Sequence, residues 1–432
     1  MRDKRRALLG IVTGVALIIT ACAPAATPAP TQPPAPTQAP AATEAPVGAP
    51  TEVPAPEEGE PYLLGAFFST TGPVSSLGQP EADTMTMVVE AINAGGGVLG
   101  PDGKLHQVEL KMYDDQSDAT KAVEVVKKLI DEDKVPVIVG GTGSPSSIAV
   151  IETVTTAGVP FVSVASSSKI VNAADGSQNH WVFKTPQQNL PVAQVQLDWM
   201  KAHGFTKVAS IGVNNAFGAD SMAALNQVTA DGGIEIVWEG TFEPGTTDFS
   251  SQLTAIAGTD AKALVVHATP GEGAPLTVQF RDLGFEIPII HNHGIGNRAF
   301  IDTAGASAEG VLFPIGKLLV ASQLPDSDPQ KATLLQYLAD YDNKYGKPAS
   351  TFGGHAWDGV MMVKAAFEAV GPDSAAIRDF LETKITNFVG ISGIFNISAE
   401  DHTGIGKESL VLVEIKDGDW VFVPPDQYAN VP

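Results

Sequence analysis

The feature that most constrains this chain is an alternation that runs through once and then begins again. The β-branched and aromatic runs at 62–68, 108–113, 135–140 and 160–164 read as buried strands. Between them, 80–94 and 118–131 read as helices. The first has Pro80 near its first helical position and glycines at 95–97 at its exit. The second repeats Ala122, Val125, Val126, Leu129 and Ile130 at helical spacing. Strands alternating with helices predict a parallel sheet with crossover helices. A second series follows, with strands at 207–213, 234–241, 263–267 and 287–291 and helices near 187–203, 217–231, 247–257 and 272–284. Two series predict an α/β protein of two similar lobes. Helices near 328–345, 354–370 and 373–384 come next, then a strand pair at 410–415 and 420–423 turned by Asp417-Gly418.

Nothing before residue 61 has the content to build a core. Arg2, Lys4, Arg5 and Arg6 precede an apolar run of about 15 residues, short of the roughly 20 that span a bilayer but right for a signal peptide. The run ends in Ile19-Thr20-Ala21-Cys22, which resembles the lipobox of bacterial lipoproteins. Residues 1–21 are therefore expected to be cleaved and Cys22, the single cysteine, to carry a lipid. Residues 22–60 are rich in Pro, Ala and Thr and read as an extended tether, reaching about 100 Å at about 3.1 Å per residue. Without a second cysteine there is no internal disulfide, so the core alone must stabilise the fold.

Charge narrows the partners. The chain carries −23, and loss of four basic residues and Asp3 with the signal leaves about −26. Nucleic acid and anionic membrane surfaces both require a basic footprint and are excluded. The expected protein is extracytoplasmic, lipid-anchored and monomeric, touching membrane through its anchor only.

Several stretches, in order, resemble one family. They are Ser69-Thr70-Thr71-Gly72-Pro73; Ala91-Ile92-Asn93-Ala94-Gly95-Gly96-Gly97; Tyr113-Asp114-Asp115-Gln116; Val139-Gly140-Gly141-Thr142-Gly143-Ser144; and Gly158-Val159-Pro160-Phe161. Thr247-Asp248-Phe249-Ser250, Trp357-Asp358-Gly359 and Val389-Gly390-Ile391-Ser392-Gly393 continue the pattern. Over 61–424 the chain resembles the branched-chain amino-acid binding proteins, the type I periplasmic binding proteins of ABC importers. The resemblance implies a Venus-flytrap fold with crossings near 184, 316 and 407. Lobe 1 is then 61–184 plus 317–407, and lobe 2 is 185–316 plus 408–432. It also implies an ABC permease as partner, a small amino acid or carboxylate as ligand, and no cofactor.

In open α/β sheets ligands sit beyond the strand C-termini. The loop 140–147 combines glycines that admit close approach with the hydroxyls of Ser144, Ser146 and Ser147, ahead of a helix expected to begin near Ser147. Ser146 and Ser147 read better as helix caps, and Ser144 matches the family's carboxylate-binding serine. By the same resemblance Ser166 and Ser168 contact the amino-acid moiety, and Leu77, Phe217 and Thr269 form walls; Phe217 reads equally as a core residue. Where relatives usually present an acid for the ligand ammonium, this chain has His293. Either the ligand lacks an ammonium, or an acid such as Glu272 substitutes, or the match is displaced by a residue or two. If His293 titrates near 6.5, anion binding should tighten from pH 7.5 to 6.

His291 and His293 alternate at a strand end, but metal binding needs ligands not visible nearby. There is no Walker loop, no Gly-x-Gly-x-x-Gly after a strand and no Gly-x-Ser-x-Gly elbow, so no catalytic residue is assigned. A solute receptor leads. A ligand sensor feeding a membrane receptor is the alternative, and a hydrolase built on Ser144 the remote one.

Overall fold

The computed structural model describes residues 56–432; the leader, Cys22 and most of the tether lie outside the described residues. Residues 57–60, expected in the tether, are already paired to the body. Leu105 N donates to Glu57 O and Gly59 N to Leu105 O, both at 2.8 Å.

The first sheet has five parallel strands: β1 Tyr62–Phe68, β2 Val108–Asp114, β3 Ile138–Gly140, β4 Phe161–Ser163 and β5 Val182–Lys184, in the order β2-β1-β3-β4-β5. Three strands are shorter than expected and one cause serves for all. Pro136, Pro160 and Pro288 lack an N–H for the ladder, so each strand starts one or two residues beyond its proline. β5 is not among the strands expected from the sequence.

Helices α1 Ser75–Ala94, α2 Ala119–Asp131, α3 Ser144–Ala149 and α4 Ile151–Ala157 connect these strands. Asp118 caps α2, accepting from Thr120 N and Lys121 N, and its apolar face buries Ala122, Val126 and Leu129. α1 begins five residues before the expected Pro80, which lies inside the helix. Proline at that point leaves the Ser76 carbonyl without its helical donor.

Beyond α5 Asn189–Ala202 lies the second sheet: β6 Lys207–Val213, β7 Glu235–Phe242, β8 Leu264–His267, β9 Ile289–His291, β10 Leu312–Gly316, β11 Leu410–Lys416 and β12 Asp419–Val423. Their order is β12-β11-β10-β9-β8-β6-β7, parallel except where β11 meets β10 and β12. Helices α6 Ala216–Gly232, α7 Ser250–Ala257, α8 Pro270–Asp282 and α9 Arg298–Ala304 belong to this series. After β10 the chain returns to the first sheet through α10 Lys331–Tyr345, α11 Thr351–Val370 and α12 Ser374–Lys384. Tyr337 there bonds Thr84 at 2.8 Å and Ser374 donates to Pro136 O at 2.8 Å. Two parallel-sheet lobes result, each around buried aromatics such as Phe161 and Phe183 in the first and Phe280 and Phe313 in the second. Full burial of each such ring is worth about 1.5–3 kcal/mol.

Candidate functional site

The turn after β3 requires glycine. Gly140 has φ +154° and a Cβ there would lie 2.1 Å from Phe67 O; Gly141 has φ +76° and would meet Ser147 Oγ at 2.2 Å. Helix α3 starts at Ser144, three residues earlier than expected, with Gly143 as a cap that makes no side-chain bond. Neither Ser146 nor Ser147 is therefore a cap. The Ser147 hydroxyl donates to Gly141 O at 2.7 Å and pairs with Ser163 Oγ at 2.8 Å, holding the turn from behind. Ser144 and Ser146, with Thr142, face a cavity of about 190 Å³.

That cavity lies between the lobes. Ser144, Ser166, Leu77, Phe217, Thr269 and His293, all selected from sequence, line it together. Ser168 does not. Its N–H donates to Asp220 Oδ2 at 3.1 Å and its hydroxyl to Asp220 Oδ1, so it bridges to α6. Phe217 is a wall rather than only a core residue, placed because Asn215 caps α6 by accepting from Phe217 N and Gly218 N at 3.0 and 3.1 Å. The ring stands edge-on to His293, 5.5 Å between centroids.

His293 is buried and its Nδ1 has no partner. Burial, with smaller contributions from His355, Lys184 and His267, pushes its imidazole down to about 3. It is neutral across pH 6–7.5 in the free protein, so the tightening expected from its titration in that window does not follow. His291 lies behind the cavity wall, bonded to Thr277 at 2.9 Å, and among the described residues no group of three potential ligands could hold a metal.

Several lining residues escaped the sequence reading, and two of them share one helix. Phe352 and His355 sit in the first turns of α11, which starts at Thr351 under a Ser350 cap rather than near 354. The cap serine was the available signal. His355 bonds Ser392 Oγ at 2.7 Å, and burial lowers it too to about 3. Glu272 is the one carboxylate among the lining residues, accepting from Thr269 Oγ1 at 2.8 Å and Gly245 N at 3.1 Å; no lysine or arginine lines the cavity. Hydroxyls at one wall, an acid and a neutral imidazole at the other, and Leu77, Phe217 and Phe352 between them suit a small molecule with a polar head and an apolar body.

The lobes also touch beside the cavity: Asn297 donates to the Ser76 carbonyl that Pro80 leaves free, and Thr351 to Gly296 O at 2.9 Å. A two-lobed fold enclosing one small cavity in this way defines a solute-binding protein. The comparisons specify which. The periplasmic binding protein family model matches residues 61–419, and the chain belongs to that family. It is 26% identical over 321 residues to a Leu/Ile/Val-binding protein homologue of Brucella melitensis, covering 74% of this chain and 82% of the relative. An extracellular ligand-binding receptor from Rhodopseudomonas palustris superposes with TM-score 0.77 at 25% identity, covering 84% of this chain and 99% of that one. A branched-chain amino-acid transporter substrate-binding protein of Streptococcus pneumoniae, solved with isoleucine, gives TM-score 0.72 at 25% identity over 84% of this chain and all of its own. These relatives are binding proteins, which removes the hydrolase reading. No helix among the described residues is long and apolar enough to cross a membrane.

Proposed function

We propose that this protein is the lipid-anchored receptor of an ABC importer and captures an amino acid or a related small carboxylate between its lobes. The carrying observation is the convergence of Ser144 and Ser166 from one lobe with Phe217, Thr269 and His293 from the other on a single cavity. A carboxylate at the serine wall would take hydroxyl donors, and closure over it would follow from contacts to both lobes. Glu272 supplies the negative charge that His293 cannot, so the ammonium of a zwitterionic amino acid would have a partner, while a plain carboxylate would take the serine wall alone. Cys22 supplies the anchor and the residues after it the tether, leaving the receptor free to reach a permease.

A thermal-shift screen of the mature protein against amino acids, aromatic acids, dicarboxylates and amides tests this. At least one carboxylate should raise the melting temperature in a concentration-dependent way. Stabilisation by uncharged amides alone would overturn the ligand class.

A further inference from the structure

Among the described residues no lysine or arginine lines the cavity, yet a buried lysine stands directly behind it. Lys184 ends β5 and is fully buried, with 0% exposure. Its ammonium donates to the backbone carbonyl of Ser166 and, at 3.5 Å, to that of Gln187; among the described residues it forms no ion pair. Ser166 thus has two faces, one taking Lys184 and the other forming the cavity wall. Asp220 is the first acid to influence Lys184, but its oxygens are already taken by Ser168 and Asn189. A buried ammonium with carbonyls alone for company is strongly disfavoured, and it is kept charged only by an anion nearby.

We propose that Lys184 is the counter-charge of the cleft: a carboxylate bound against Ser144 and Ser166 is matched, across the Ser166 peptide, by the Lys184 ammonium. The proposal rests on the ligand being a carboxylate. Lys184 touches no ligand itself; it positions the 165–168 loop and sets its potential.

Burial pulls the Lys184 ammonium down to about 7, with Asp220 and Asp401 opposing. The other groups facing this region are few, and Glu272, across the cavity, is the carboxylate that lines it. His293 and His355 are both held near 3 and stay neutral. His402 meets Lys184 through its backbone carbonyl, which accepts from Lys184 N at 3.1 Å. Asp358, on α11, is raised by burial to about 7 and would itself repel an anion as it ionises. The sign is then fixed. Below about pH 6 Lys184 is charged with or without ligand and affinity is flat. Above 7 the free protein has lost the proton that the complex keeps, so affinity falls as pH rises, by up to about tenfold per unit.

The test is isothermal titration of the mature protein with L-isoleucine, benzoate and succinate, which share a carboxylate and little else. Runs at pH 6.5, 7.5 and 8.5 in buffers of different ionisation enthalpy read Kd and proton uptake together. For a probe that binds, we expect Kd to weaken at least tenfold from pH 6.5 to 8.5, with uptake approaching one proton at pH 8. Lys184→Arg should retain binding and lose both effects, because its charge is permanent. A pH-independent Kd with no proton uptake overturns the proposal and leaves the receptor reading intact. A pH dependence that survives Lys184→Arg also overturns it and points to Asp358. Failure of all three probes to bind removes the carboxylate premise, and the proposal with it. Even if Lys184→Arg does not fold, a pH-independent wild-type titration overturns the proposal, and Asp358→Asn, which removes the other group held near 7, should leave the pH dependence in place; its loss there overturns the proposal as well.

Discussion

Replacing Ser144 by alanine separates ligand contact from fold maintenance. In the free protein the Ser144 hydroxyl accepts a single long bond, 3.3 Å from Ser167 N, so its loss should cost stability no more than about 0.5–1 kcal/mol. Against a bound carboxylate the same hydroxyl makes a charge-assisted bond worth about 1.5–3 kcal/mol, or roughly 10- to 150-fold in affinity. Ser147 inverts the ranking. Its hydroxyl is fully buried and tied to both Gly141 O and Ser163 Oγ, so Ser147→Ala takes the donor from Gly141 O, leaves Ser163 Oγ with its bond from Ala165 N, and should cost about 1–3 kcal/mol of stability. Calorimetry of binding and urea unfolding on the same two variants give both numbers. If Ser147→Ala loses more affinity than Ser144→Ala while remaining as stable, the cavity wall has been assigned to the wrong serine.

Asn297→Asp should keep the cap on Ala299 N while losing the donor to Ser76 O, weakening ligand binding about five- to tenfold and enlarging the scattering radius of the loaded protein. Gly140→Ala should destabilise by about 2–4 kcal/mol in a thermal melt, since its Cβ meets the Phe67 carbonyl and its φ is positive. Histidine NMR signals from His267, His291, His293 and His355 should show no titration between pH 5.5 and 8, because burial holds all four near 3; a midpoint near 6.5 for His293 would reopen the pH effect withdrawn above. Glu272→Gln should weaken an amino-acid ligand at least tenfold and leave a plain carboxylate unchanged or tighter, read by competition binding. Mass spectrometry of membrane-fraction protein should find Cys22 diacylated at the mature N-terminus; an unmodified Cys22 would remove the anchor.

What sequence could reveal here followed the range of the interactions. The strands β1 and β6 and the helix α2 declare themselves through contiguous β-branched runs and a capped amphipathic face. The walls of the cleft at Ser144, Leu77 and Phe217 were reachable because each follows a recognisable glycine turn or cap, with the family resemblance orienting them. Ser168 stands outside the cavity lining because it is held by Asp220, 52 residues away on α6, which no local pattern marks. His355, Phe352 and Lys184 were missed for the same physical reason. Their surroundings arise where α11 meets the end of β5, Thr185 donating to His355 O at 2.9 Å, and no local pattern marks a lysine whose partners among the described residues are backbone carbonyls. Pro80 shows the limit of punctuation: a proline expected to open α1 sits within it and releases a carbonyl to the opposite lobe.

The most direct test of the central claim is a crystal structure of the mature protein grown with the strongest hit from the thermal-shift screen. One small molecule should be enclosed between the lobes, its carboxylate oxygens within hydrogen-bond distance of the Ser144 and Ser166 residues and its apolar body against Leu77 and Phe217. Density for the ligand outside this cleft, or in it with no acidic group at the serine wall, would contradict the account.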